Sequence, residues 1–84
     1  MKAIIPNFRG DSTVPLYLQL YQYIKNAILE GGILPTEKLP SLRSLSKSLG
    51  LSLTTVELAY NQLLVEGYIY SKPQSGYFVN QISA

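Results

Sequence analysis

Apolar side chains recur along this chain in steps of three and four before the spacing breaks down near its end. Tyr17, Leu20, Tyr21, Ile24, Ala27 and Ile28 return to one face of an α-helix. That helix is expected to start near Pro15, because proline is tolerated in a first turn, with Ser12 or Thr13 as its cap and Gly31-Gly32 as its stop. Residues 33–40 contain two prolines and read as an extended connector with a residue or two of strand at Lys38-Leu39. A second helix follows Pro40, capped by Ser41, with Leu42, Leu45 and Leu49 at i, i+3 and i+7. Gly50 supplies the positive φ that ends it. Two residues later Ser52 caps a third helix whose buried face is Val56, Ala59, Tyr60, Leu63 and Leu64. Two helices joined so tightly must cross steeply, which leaves the start of the second projecting outward. After Glu66-Gly67 the pattern becomes Tyr68 to Lys72, then Pro73-Gln74-Ser75-Gly76, then Tyr77, Phe78 and Val79, a β-hairpin around turn formers.

The expected fold is mainly α with a small β-hairpin: a helix-turn-helix of three helices with the hairpin attached as a wing. Residues 1–13 hold Pro6 and Gly10 without a sustained period and read as an irregular arm. Residues 14–80 form the folded domain, and residues 81–84 begin a linker to a C-terminal domain that the sequence does not contain. No internal repeat or low-complexity segment interrupts this order.

Composition narrows the chemistry. A chain of 84 residues is one small domain. Without cysteine or histidine there are no disulfides, thiolate metal sites, cysteine nucleophiles or imidazole acid/base groups, and an enzyme is not expected. The N-terminus lacks the apolar run of a signal peptide, and nothing approaches the roughly 20 apolar residues of a membrane helix, so a cytoplasmic location is expected. The net charge is only +2, but Lys38, Arg43 and Lys47 follow one another without an intervening acid up to Val56. The acids lie at Asp11, Glu30, Glu37, Glu57 and Glu66, so the helical corner is locally basic. Charge alone favours an ordinary solvated face over nucleic-acid binding.

The segments Leu39-Pro40-Ser41, Arg43, Leu49-Gly50-Leu51-Ser52, Thr55-Val56, the helix end from Leu63 to Gly67, and Gly76-Tyr77-Phe78-Val79 together resemble the winged helix-turn-helix domain of the GntR family of bacterial transcription regulators. With Pro15-Leu16-Tyr17 upstream, the resemblance covers roughly residues 14 to 80. Ala59-Tyr60, Glu66-Gly67-Tyr68 and Ser75-Gly76 are most similar to the MocR-type branch, in which this domain precedes an aminotransferase-like domain binding pyridoxal phosphate. A short regulator of the YtrA type shares much of the same signature. The resemblance implies sequence-specific binding of double-stranded operator DNA, with recognition helix 52–66 in the major groove and wing 69–79 at the minor groove. It also implies a homodimer for the full-length parent, with pyridoxal phosphate possible in a C-terminal domain of that parent. This chain itself is expected to be a monomer or weak dimer, because its apolar residues are committed to a small core without a heptad seam, and to bind no cofactor.

The DNA-binding residues so implied are Arg43, Lys47, Ser52, Leu53, Thr54, Thr55, Glu57 and Gly76. Arg43 matches the family's phosphate- or base-contacting arginine; its alternative is an exposed salt bridge to Glu37 or Glu57. Thr54 and Thr55 can bond phosphates or base edges, or merely cap the helix. Many family members carry arginine where this chain has Leu53 and Glu57, so either the site is expected to be read less through guanine or this domain alone is expected to bind weakly. Leu53 can meet a thymine methyl or pack in the turn. Lys38 and Lys47 can add charge. Gly76 serves hairpin geometry and, in this family, close approach to the minor groove. Ser41 and Ser52 are caps first, and the seven tyrosines are core and hairpin packing. A winged helix used for protein-protein contact is the alternative function, kept open by outward-facing Leu58 and Val65 beside Thr54 and Asn61.

Overall fold

Two serines delimit the helical corner. Ser41 Oγ accepts the Ser44 backbone N–H at 3.1 Å, and Ser52 Oγ accepts that of Thr55 at 3.1 Å, each satisfying a donor that a helix start leaves unpaired. In the computed structural model, which describes residues 13–81, these caps open α2, Leu42–Leu49, and α3, Leu53–Val65. Between them Gly50 sits at φ 67°, the left-handed conformation that costs a side-chain-bearing residue energy. Ser46 brackets the break, its carbonyl accepting the Leu51 N–H at 3.1 Å while its hydroxyl donates to the Leu51 carbonyl at 2.6 Å.

The first helix, α1, runs Leu16–Leu29 and has no side-chain cap. Thr13 does not fill that role, because Pro15 occupies the cap position and only a side chain there reaches the first free N–H groups; Ser12 and most of the expected arm lie outside the described residues, as do residues 82–84. The Pro15 carbonyl accepts from Leu18 and Gln19, both at 3.1 Å. At the other end the Gly32 N–H returns to the Ala27 carbonyl at 2.8 Å, stopping the helix where the glycine pair predicts.

The strands are β1, Ile69–Lys72, and β2, Gly76–Val79, antiparallel with Ile69 opposite Val79 and Lys72 opposite Gly76. Tyr68 falls outside β1, because its N–H completes the end of α3 on the Leu63 carbonyl at 2.9 Å. The turn is shorter than expected. Pro73, Gln74 and Ser75 make it, with the Ser75 N–H on the Lys72 carbonyl at 3.0 Å and Gln74 at φ 64°, and Gly76 is already paired in β2. The strand expected at Lys38-Leu39 is a single isolated bridge onto the wing: Lys38 bridges Phe78, and the Leu39 N–H meets the Tyr77 carbonyl at 2.9 Å.

The core collects one face of every element. Leu20, Ile24, Val56, Ala59, Tyr60 and Leu63 are fully buried, with Leu39, Leu45, Ile69 and Val79 beside them. Tyr17, Ala27, Leu42, Leu49 and Leu64, expected in the same core, sit at its partly buried edge. Helix α3 packs against α1, α2 and β1 alike. The Tyr60 hydroxyl donates to the Pro40 carbonyl at 2.8 Å and its ring meets Tyr77 edge-on at 5.0 Å, joining α3 to the start of α2 and to the wing.

Candidate nucleic-acid interface

Leu45 turns inward, and the opposite face of α2 is left to Arg43, Ser44, Lys47 and Ser48, all exposed. Arg43 and Lys47 are one turn apart and stack their charges along the same side of the helix. Neither forms an ion pair or hydrogen bond among the described residues, so the expected alternative for Arg43, a bridge to Glu37 or Glu57, is not made there. Arg43, Ser44, Ser46, Lys47 and Leu53 line one open groove between α2 and the start of α3. Ser44 and Ser46 were not singled out from the sequence. Their signal was the alternation Ser44-Leu45-Ser46-Lys47-Ser48, which puts hydroxyls around both cations.

At the start of α3 the two threonines separate. Thr55 is half-buried and its hydroxyl lies 2.8 Å from Ser52 Oγ, within the cap. Thr54 is exposed, and its hydroxyl has no partner among the described residues. Leu53 keeps 40% of its surface exposed at the mouth of the groove. Glu57, one turn further, is exposed as well. The outward stripe Thr54, Leu58, Asn61 and Val65 is present as expected, with Val65 at 83% exposure. The helix N-terminus, carrying the positive end of the dipole, thus emerges beside Arg43 and Lys47.

Lys38 departs from the basic corner that the sequence suggested. Its bridge to Phe78 puts it on the wing, where its stem lies over Gly76: a Cβ built on that glycine would stand 3.2 Å from Lys38 Cε. Gly76 itself has φ 115°. Across the hairpin the Lys72 ammonium sits 5.0 Å from the centre of the Phe78 ring, which stacks on Tyr70 at 5.7 Å.

A second polar cluster lies apart from this surface, between α1 and the end of α3. The buried Tyr21 ring directs its hydroxyl onto Glu66, whose other oxygen accepts from Gln62 at 2.6 Å, and Lys25 lies over the rings of Tyr21 and Tyr68. The hydrogen bond to Glu66, with burial and the carboxylate charge behind it, pushes the Tyr21 phenol up to about 12. The same bond, helped by Gln62, holds Glu66 below the usual carboxylate value. Among the described residues no His, Cys, Asp and Glu group could hold a metal ion, and no helix is long and apolar enough to cross a membrane.

The family described as bacterial regulatory proteins, gntR family, matches residues 16–79. The chain is 49% identical over 77 residues to the HTH-type transcriptional regulator YdeL of Bacillus subtilis, an alignment covering 92% of this chain and 17% of that protein. With the probable rhizopine catabolism regulatory protein MocR of Rhizobium meliloti it shares 39% identity over 69 residues, 82% of this chain and 14% of that one. It therefore spans less than a fifth of these curated relatives. Among solved structures, YtrA from Sulfolobus acidocaldarius, a GntR-family transcription factor, superposes with a TM-score of 0.87 at 36% identity, covering 96% of this chain and 84% of that one. The AraR DNA-binding domain in complex with operator ORX1 superposes at 0.79 and 30% identity over 94% of this chain and 99% of that one.

Proposed function

The chain belongs to the gntR family of bacterial regulatory proteins, as the winged helix-turn-helix, DNA-binding part of a transcription regulator, and from there we propose how it docks on its operator. Helix α3 enters the major groove, with Leu53, Thr54 and Glu57 toward the base edges and Ser52 and Thr55 holding the helix start. Arg43 and Lys47 take phosphates from the flank, and the wing reaches the adjacent minor groove. The observation that carries this reading is the groove shared by Arg43, Lys47 and Leu53, in which two cations without a partner among the described residues face outward beside an exposed helix N-terminus. Leu53 meets a thymine methyl, and Glu57 accepts from a cytosine amino group, so guanine is not the main determinant. The similarity to an operator-bound domain weighs against the protein-contact alternative through Leu58 and Val65.

Duplex DNA as partner implies a cytoplasmic location, and no catalytic role is proposed. The parent regulator is a homodimer in this reading, while the chain alone is monomeric or weakly dimeric, because its larger apolar side chains are committed mainly to one small core. Any pyridoxal phosphate is assigned to another domain of the parent, because it needs a Schiff-base lysine in a deep pocket with ring and phosphate partners, more than three helices and a hairpin are built to supply. Fluorescence anisotropy on duplexes selected from a random pool tests the docking. Arg43→Ala should weaken binding at least tenfold at physiological salt, and Lys47→Ala should weaken all duplexes alike and lower the salt slope by about 0.9. Wild-type affinity in the Arg43→Ala variant would overturn the docking and favour protein contact.

A further inference from the structure

We propose that Lys38 is a DNA phosphate-binding residue of the wing, and that Gly76 is the positioning residue that seats it. This inference rests on the docking above and adds a contact outside the helical corner.

Strand alternation sorts the small sheet into two faces. Ile69 and Val79, opposite each other, are buried, as is Leu39 on the connector. The pairs Tyr70 with Phe78 and Lys72 with Gly76, and the bridge from Lys38 to Phe78, therefore make the other face. That outer face carries two lysines, two stacked rings and a glycine, and no acid among its five residues. The neighbouring carboxylate, Glu37, is turned back onto its own connector, where Oε1 accepts the Leu34 N–H at 3.3 Å. A face so charged complements a phosphate backbone.

Gly76 differs from the other glycines that adopt positive φ. At Gly31, Gly50 and Gly67 nothing lies within 4 Å of the position a Cβ would take, so those glycines serve the backbone alone. Above Gly76 that space is filled by Lys38, with Cε at 3.2 Å and Nζ at 3.9 Å. The glycine is the floor on which an aliphatic stem is laid, and a Cβ there would press on the end of that stem and displace it by a few tenths of an ångström. Lys38 remains exposed, and its ammonium has no partner among the described residues. A lysine whose stem is already placed loses less rotamer freedom when its head engages a phosphate. Lys72, held over Phe78 on the same face, supplies the second charge.

The experiment is anisotropy of a selected duplex at about 50 and about 200 mM salt, with the wild-type chain, Lys38→Met, Lys38→Arg, and Gly76→Ala alone and combined with Lys38→Met. One phosphate contact is worth about 0.9 in salt slope, so the wild-type advantage over Lys38→Met should shrink about 3.5-fold across that range, while Lys38→Arg keeps the slope. Preference among duplexes should not change. Gly76→Ala should cost affinity with Lys38 present and add little in the Lys38→Met background. A wild-type slope in Lys38→Met, or an equal Gly76→Ala cost in both backgrounds, overturns the proposal. If circular dichroism shows that Gly76→Ala unfolds the domain, the Lys38→Met and Lys38→Arg pair decides alone. A wild-type chain that binds no duplex overturns the docking and this contact together; loss of binding in Arg43→Ala with an unaltered Lys38→Met slope overturns this contact only.

Discussion

Replacing Tyr60 by phenylalanine removes one oxygen atom from the point where α3, the start of α2 and the wing meet. The ring remains in a fully buried site and can keep its edge-on contact with Tyr77, so the transfer and packing contributions are nearly unchanged. What is lost is the 2.8 Å hydrogen bond to the Pro40 carbonyl. A hydrogen bond contributes about 1 kcal/mol net, and a carbonyl left without its donor adds to the cost; Pro40 is half-buried, so water recovers part of it and the total is about 1 to 2 kcal/mol. For a domain of this size that corresponds to a fall in Tm of about 5 to 15 °C, read by circular dichroism at neutral pH. The pH dependence supplies a second signature. Burial, aided by the Tyr77 phenol, raises the Tyr60 pKa above its ordinary 10 in the folded state. Above about pH 10 the unfolded chain releases this proton while the folded chain retains it, so wild-type stability falls as pH rises. Tyr60→Phe lacks that contribution, and its Tm deficit should narrow toward about pH 11. A variant whose Tm lies within about 1 °C of wild type at neutral pH would refute the anchoring of α2 by this hydroxyl.

Ser52→Ala should cost about 1 kcal/mol, seen as a fall in Tm of several degrees, because it removes the α3 cap and the partner of the Thr55 hydroxyl together. Tyr21→Phe should flatten the acid side of the stability profile: Glu66, whose pKa is lowered chiefly by the Tyr21 hydroxyl, contributes stability above its unfolded value that is lost as pH falls through the folded one, and thermal melts from about pH 3 to pH 6 check it. Leu53→Ala should shift preference among duplexes by about 1 kcal/mol, as measured by competition binding; a uniform loss across all duplexes would contradict its role at the bases.

The helices were legible because their signals are local. Leu42, Leu45 and Leu49 mark one face, and Ser41, Gly50 and Ser52 mark ends whose capping involves only residues three to five away. Arg43, Lys47 and Leu53 line one groove for a similar reason, since a tight corner fixes their neighbourhood. Lys38 was grouped with them because a charge map along the chain cannot register that the connector crosses to the wing and pairs with Phe78, 40 positions later. The covering of Gly76 follows from that same crossing. Thr54 and Thr55 look equivalent in sequence, and only the direction of the Ser52 hydroxyl assigns one to the cap. Thr13 looked like a cap until Pro15 was found to occupy the position itself.

Helix α3 holds the domain together with one face and leaves the other exposed, and the two sets of positions interleave without overlap. Val56, Ala59, Tyr60 and Leu63 are sealed inside, while Leu53, Thr54 and Glu57 are exposed. Randomising those three exposed positions together leaves every fully buried side chain of the helix in place, so most members of such a library should fold. In the docking proposed above, retargeting this domain to new operators is therefore a three-letter substitution problem on a fixed frame, in which the frame limits only where the letters stand.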